Sequence, residues 1–112
     1  MLKKKKVNEI LVVYPEGRLD VTKSTEIEED VLKIIEEESV RNIVMNLENV
    51  EYMSSSGFRA CIAILRKLKS LNGNFKLSNV RPAVKRIFDV IELTSLFDIY
   101  ETEDEAIKSI NP

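Results

Sequence analysis

Asn42-Ile43-Val44-Met45-Asn46-Leu47-Glu48-Asn49-Val50-Glu51-Tyr52-Met53 runs into Ser54-Ser55-Ser56-Gly57 and then Phe58, and this stretch decides how the chain folds. Residues 42–53 form an apolar, strand-like run, and the compact part 42–47 reads as a strand buried in the middle of a sheet. Beyond it the period changes. Phe58, Cys61, Ile62, Leu65 and Leu68 recur at steps of three and four, the spacing of an amphipathic helix, and Ile64 and Leu71 widen its apolar stripe. The serines therefore stand where strand gives way to helix. At such a point the first backbone N–H groups lack intrahelical partners and the helix dipole favours negative charge. Taken alone, the four residues 54–57 read first as an ordinary N-cap, a position that serine fills well. The same geometry also seats an anion, including a phosphate carried covalently by one of the serines.

Working outward, residues 7–14 are rich in β-branched and apolar side chains, and Pro15-Glu16-Gly17 supplies a turn before residues 18–21. This predicts two short strands joined as a hairpin. Thr25-Glu26-Ile27-Glu28 has the form of a capping box. Ile27, Val31, Ile34 and Ile35 follow at helical spacing, which turns Glu28, Glu29, Glu36 and Glu37 to water. Asn72-Gly73-Asn74 stops the second helix, and residues 75–78 read as a strand. Pro82 suits the first turn of a third helix, with Val84, Ile87, Phe88 and Ile91 as its core face. Residues 96–100 predict a last short strand. Thr102-Glu103-Asp104-Glu105 repeats the capping-box pattern before Ala106, Ile107 and Ile110. Strands alternating with helices over residues 1–112 argue for a single small α/β domain, one sheet covered by helices.

With 17 basic and 19 acidic residues in 112, the net charge is −2, far from the basic excess of a nucleic-acid binder. The longest wholly apolar run, residues 60–65, is too short to span a membrane. No apolar stretch of signal-peptide length follows the basic start, residues 3–6. Those lysines are read as a solvated guard on a first strand rather than a lipid contact. One cysteine, Cys61, cannot form an internal disulfide, and on an apolar helical stretch it reads as a small buried hydrophobe in a reducing cytoplasm.

The absence of histidine removes Ser-His-Asp and Cys-His catalysis and most zinc sites. Only three glycines occur, none in a phosphate-cradling pattern, so neither a cofactor nor a metal is expected. Carboxylates fall mostly on solvated helix faces. Asp20 stands apart, because it follows a strand and can lie beside the serines; it reads equally well as a turn or capping acid. An autonomous enzyme is not expected.

The segment 46–58 resembles the signature of bacterial anti-sigma factor antagonists, the sulfate-transporter/anti-sigma-antagonist (STAS) domain family. The likeness extends to Gly17-Arg18-Leu19-Asp20 upstream and to Pro82-Ala83-Val84-Lys85-Arg86-Ile87-Phe88 downstream, in the same order. It implies a small mixed sheet of four to five strands covered by about four helices. It also implies a protein substrate rather than a catalyst. The unmodified antagonist binds a serine kinase that doubles as anti-sigma factor and so frees a sigma factor, phosphorylation blocks that binding, and a serine phosphatase resets the system. By position the modified residue is Ser55, with Ser54 and Ser56 as neighbouring candidates. The partner-facing set is then Asp20, Ser54, Ser55, Ser56, Gly57, Phe58 and Arg59, on a protein that is a monomer or weak dimer when free. Two residues depart from the family pattern: Ser54 stands where Asp is usual, and Arg59 where Gly is common. Those departures motivate a second reading, an unphosphorylated scaffold or regulatory module in a larger signalling assembly; a third is that the loop 54–57 binds a nucleotide or other anion without covalent change.

Overall fold

The computed structural model describes residues 2–90 and 95–111. β1 (Lys3–Val7) and β2 (Ile10–Tyr14) form an antiparallel hairpin that turns at Asn8-Glu9, where Asn8 takes a left-handed φ of 57°. The lysine run is thus itself a strand, at the rim of the sheet, where ammonium groups hinder pairing by another chain. This corrects the hairpin expected between residues 7–14 and 18–21. Gly17 (φ 80°) steers the chain out of the sheet, so β3 (Gly17–Leu19) never pairs with β2.

α1 (Val21–Glu38) begins earlier than the Thr25 capping box implies. Asp20 is its N-cap, accepting from the Lys23 N–H at 2.9 Å, while Thr25 lies inside the helix and donates back to the Val21 carbonyl. The run 42–53 is two strands rather than one. β4 (Asn42–Asn46) and β5 (Val50–Met53) are separated by a turn in which Asn46 Oδ1 accepts from the Glu48 N–H at 2.9 Å. Next come α2 (Ser55–Ser70), β6 (Asn74–Ser78), α3 (Pro82–Val90), β7 (Asp98–Tyr100) and α4 (Glu103–Ile110). Ile91, expected on the core face of the third helix, lies outside the described residues.

The main sheet has five strands in the order β1-β2-β4-β6-β7, parallel except for β1, and β4 is its centre. A separate two-stranded parallel ribbon pairs β3 with β5. Side-chain alternation divides the core between the two faces of the sheet. Leu11, Val13, Ile43, Met45, Phe75 and Leu77 pack on one face with the stripes of α1, α2 and α3. Ile10, Val12 and Val44 pack on the other with Ala106 of α4. Both faces of β2 and β4 are therefore dry, which is why these strands read as near-continuous apolar runs. Phe58, Phe88, Phe97 and Phe75 form an edge-to-face chain with ring centres 4.6, 5.6 and 6.2 Å apart, joining α2 and α3 to the sheet.

α4 is capped by Thr102, whose hydroxyl accepts from the Glu105 N–H at 3.2 Å, as the second capping box predicts. Its Glu103 carboxylate accepts from Asn46 Nδ2 at 3.0 Å and pairs with Lys5 at 3.2 Å. Burial pushes the Glu103 carboxyl upward, but hydrogen bonds from Asn46, Tyr14 and Lys5 outweigh it and hold the group below the usual carboxylate range. A carboxylate depressed in the folded state stabilises above its unfolded pKa, and that contribution is lost as pH falls through the folded value. Amide protection factors across residues 103–110, corrected for the intrinsic exchange rate, should therefore fall as the pH drops below the ordinary glutamate range. Glu103→Gln should remove that acid limb and lower stability at neutral pH by about 1 kcal/mol.

Candidate functional site

β3 and β5 run side by side and each ends at the start of a helix, so the N-termini of α1 and α2 are neighbours. One backbone oxygen joins them. The Leu19 carbonyl accepts from the Ser54 N–H at 3.0 Å, from Ser54 Oγ at 2.8 Å and from Ser24 Oγ at 3.2 Å. Ser24 on α1 is 2% exposed, so its hydroxyl is committed to this knot. Gly57 completes the close approach. A Cβ there would fall 2.4 Å from Met53 Cγ and 3.4 Å from Ser24 Oγ, a space only hydrogen fits without repacking.

Ser54 is the N-cap residue of α2 by backbone conformation, yet its side chain makes no capping bond; the hydroxyl is turned to Leu19, to which it donates. The carbonyl of Ser54 receives the Gly57 and Phe58 N–H groups at 2.9 and 3.3 Å. Ser54 gives α2 no side-chain cap, and no acid lies in the helix's first turn. The positive end of this helix is thus left open, in contrast to α1, which Asp20 closes.

The structure distributes the predicted residues unequally. Ser55, the first residue of α2, is exposed, Ser56 is half-buried, and Arg59 one turn on is exposed. Arg59 Nη2 donates to Ser56 Oγ at 3.2 Å, which brings the guanidinium back over the first turn. Asp20 is exposed but engaged as the cap of α1. Gly57 and Phe58 are buried, and Phe58 packs edge-on against Phe88, so neither offers a side chain to a partner.

Exposed residues at this end that lie outside the expected set include Arg18, Tyr52 and Val21. Arg18 and Tyr52 are partners in the β3–β5 ribbon, with the guanidinium 4.4 Å from the ring centre, and Val21 opens α1 while 64% exposed. Arg18 and Val21 are close to Asp20 along the chain, but only the ribbon brings Tyr52 beside them. Cys61, deep under the same helix, is inert: burial pushes its thiol up to about 12. Among the described residues no group of three or more His, Cys, Asp or Glu is arranged to hold a metal, and no helix is long and apolar enough to cross a membrane.

A family model for the STAS domain matches residues 1–106. The anti-sigma-B factor antagonist of Staphylococcus aureus is 33% identical over 85 residues, covering 76% of this chain and 78% of that protein. The anti-sigma F factor antagonist of Paenibacillus polymyxa is 26% identical over 101 residues, covering 90% and 86%. Among solved structures, the Bacillus cell fate determinant SpoIIAA in its phosphorylated form superposes with a TM-score of 0.78 at 26% identity, over 99% of this chain and 100% of that one. An anti-sigma factor antagonist from Mycobacterium paratuberculosis gives 0.88 at 23% identity, over 100% and 94%. The five-stranded mixed sheet with its four helices, the serine turn between β5 and α2, and these matches lead to one conclusion: the chain belongs to the STAS domain family.

Proposed function

We propose that this protein is an anti-sigma factor antagonist whose unphosphorylated form sequesters an anti-sigma factor serine kinase and so releases a sigma factor. Phosphorylation of Ser55 ends the interaction, and a serine phosphatase restores it. The observation that carries this reading is the exposed Ser55 hydroxyl at the first position of an uncapped helix. The names of the curated relatives, and the phosphorylated form in which SpoIIAA was solved, support it.

The domain is suited to hold the modification. Free N–H groups and the helix dipole accept a phosphate of about −1.5 to −2 charges without any change of fold. A partner surface built around a neutral hydroxyl is not so suited, because a dianion pressed into it must shed water and meets any like charge there. Ser54 is a poor acceptor by comparison: its proton is donated to the Leu19 carbonyl and its side chain is half-buried. No catalysis by this chain is required.

The direct test is incubation with ATP and the candidate kinase, followed by site-localising mass spectrometry. One phosphate on Ser55 is expected. Ser54→Ala should be modified as fast as the parent while losing about 1 kcal/mol of stability with its hydrogen bond to Leu19. Phosphate on Ser54 or Ser56 instead, or none with a kinase that binds tightly, would overturn the reading.

A further inference from the structure

We propose that Arg59 is the internal counter-ion of a phosphoryl group on Ser55, which it reaches by releasing Ser56; this rests on the reading of Ser55 as the modified residue. Residues four apart on a helix lie one above the other, about 5–6 Å between Cβ atoms, so Arg59 stands directly over Ser55 and, at three residues, beside Ser56. Its side chain already bends toward the helix start, as the 3.2 Å bond to Ser56 Oγ shows. That acceptor is a neutral hydroxyl. A phosphate offers several charged oxygens, two of which a planar guanidinium can engage at once, and the charge-assisted bonds are roughly twice as strong.

No competitor holds Arg59 back. It forms no ion pair among the described residues, and Ser54 puts a neutral side chain at the cap. Asp20, the acid at the neighbouring N-terminus, is engaged with the Lys23 N–H. The other nearby cation, Arg18, lies over the Tyr52 ring. Arg59 is therefore the cation free to respond. Modification then alters the surface twice: it adds a dianion and withdraws the guanidinium from whatever faces α2.

The experiment uses the full chain with phosphoserine installed at position 55 during synthesis, so that it does not depend on any kinase. Phosphorus NMR reads the second ionisation of the phosphate, ordinarily near pH 6. Arg59→Gln should raise that midpoint by about half a pH unit relative to the phosphoprotein carrying Arg59. Arg66→Gln, an exposed cation two turns along the same helix, should leave it in place. An unchanged midpoint in Arg59→Gln, or an equal shift in both variants, would overturn the counter-ion role. Failure of a kinase to modify Ser55 would instead overturn the functional reading and leave this measurement unaffected.

Discussion

Phosphorylated at Ser55, the protein should bind the serine kinase proposed as its partner about a hundredfold more weakly than the unmodified form. That corresponds to about 3 kcal/mol at ~1.4 kcal/mol per tenfold. Ser55→Asp, with a single negative charge, should lose about tenfold, and Ser55→Ala should bind like the parent while resisting modification. The asymmetry follows from where the hydroxyl sits. It is exposed, at the first position of α2, with no role in the core, so changing it alters what a partner meets and not how the chain folds. None of the three forms should melt more than about two degrees below the parent, since surface substitutions of this kind cost at most ~0.5 kcal/mol and a negative charge at the helix start is favourable. Calorimetry measures the affinities, at matched ionic strength because rim electrostatics weaken with salt. Equal affinities for the aspartate and alanine variants would end the mechanism.

Phe58→Ala should cost about 3–5 kcal/mol of folding stability, the range for removing a buried aromatic ring. Phe58 is 3% exposed, and it is the terminal ring of the chain that runs through Phe88 and Phe97 to Phe75. The cavity left would lie under the first turn of α2 and between α2 and α3. A variant of this kind will score as defective in any binding assay done near its melting temperature. The distinction from a contact residue is quantitative: at low temperature, where the variant is folded, affinity should return to within about threefold of the parent. Chemical denaturation with urea supplies the stability and calorimetry the affinity. Undiminished stability together with lost binding would show that the ring faces the partner after all. Gly57→Ala, whose new methyl meets Met53, should be destabilised for the opposite reason, overpacking, by about 1–3 kcal/mol.

The stripes that bury α1, α2 and α3 are legible in the sequence because helical spacing and the core face are the same physical fact: Ile27, Val31 and Ile35, Phe58, Cys61 and Leu65, and Val84 and Phe88 all lie in the main core. The central strand is legible for the same reason, since only a strand covered on both faces can be apolar throughout. What escapes reading is pairing. Whether residues 18–19 join β2 or β5 depends on a partner more than thirty positions away, and a lysine run gives no hydropathic hint that it is itself a strand. The start of α1 differs from expectation because two residues, Asp20 and Thr25, both suit an N-cap, and the one nearer the strand takes the role. At the site, the turn and its exposed serine are readable. The fate of Ser54 is not, since its hydroxyl bonds a carbonyl 35 residues upstream, whereas the inward turn of Phe58 follows from a helical stripe that includes it.

Three donors converging on the oxygen of Leu19 have a kinetic consequence. Because that single acceptor staples both helix starts together, the backbone that carries Ser55 is held in place before any partner arrives. No loop has to be frozen on association, and little free energy is spent on ordering. Encounter should then be limited by diffusion and long-range attraction rather than by a prior rearrangement, so a charge added at Ser55 is expressed in the very next collision.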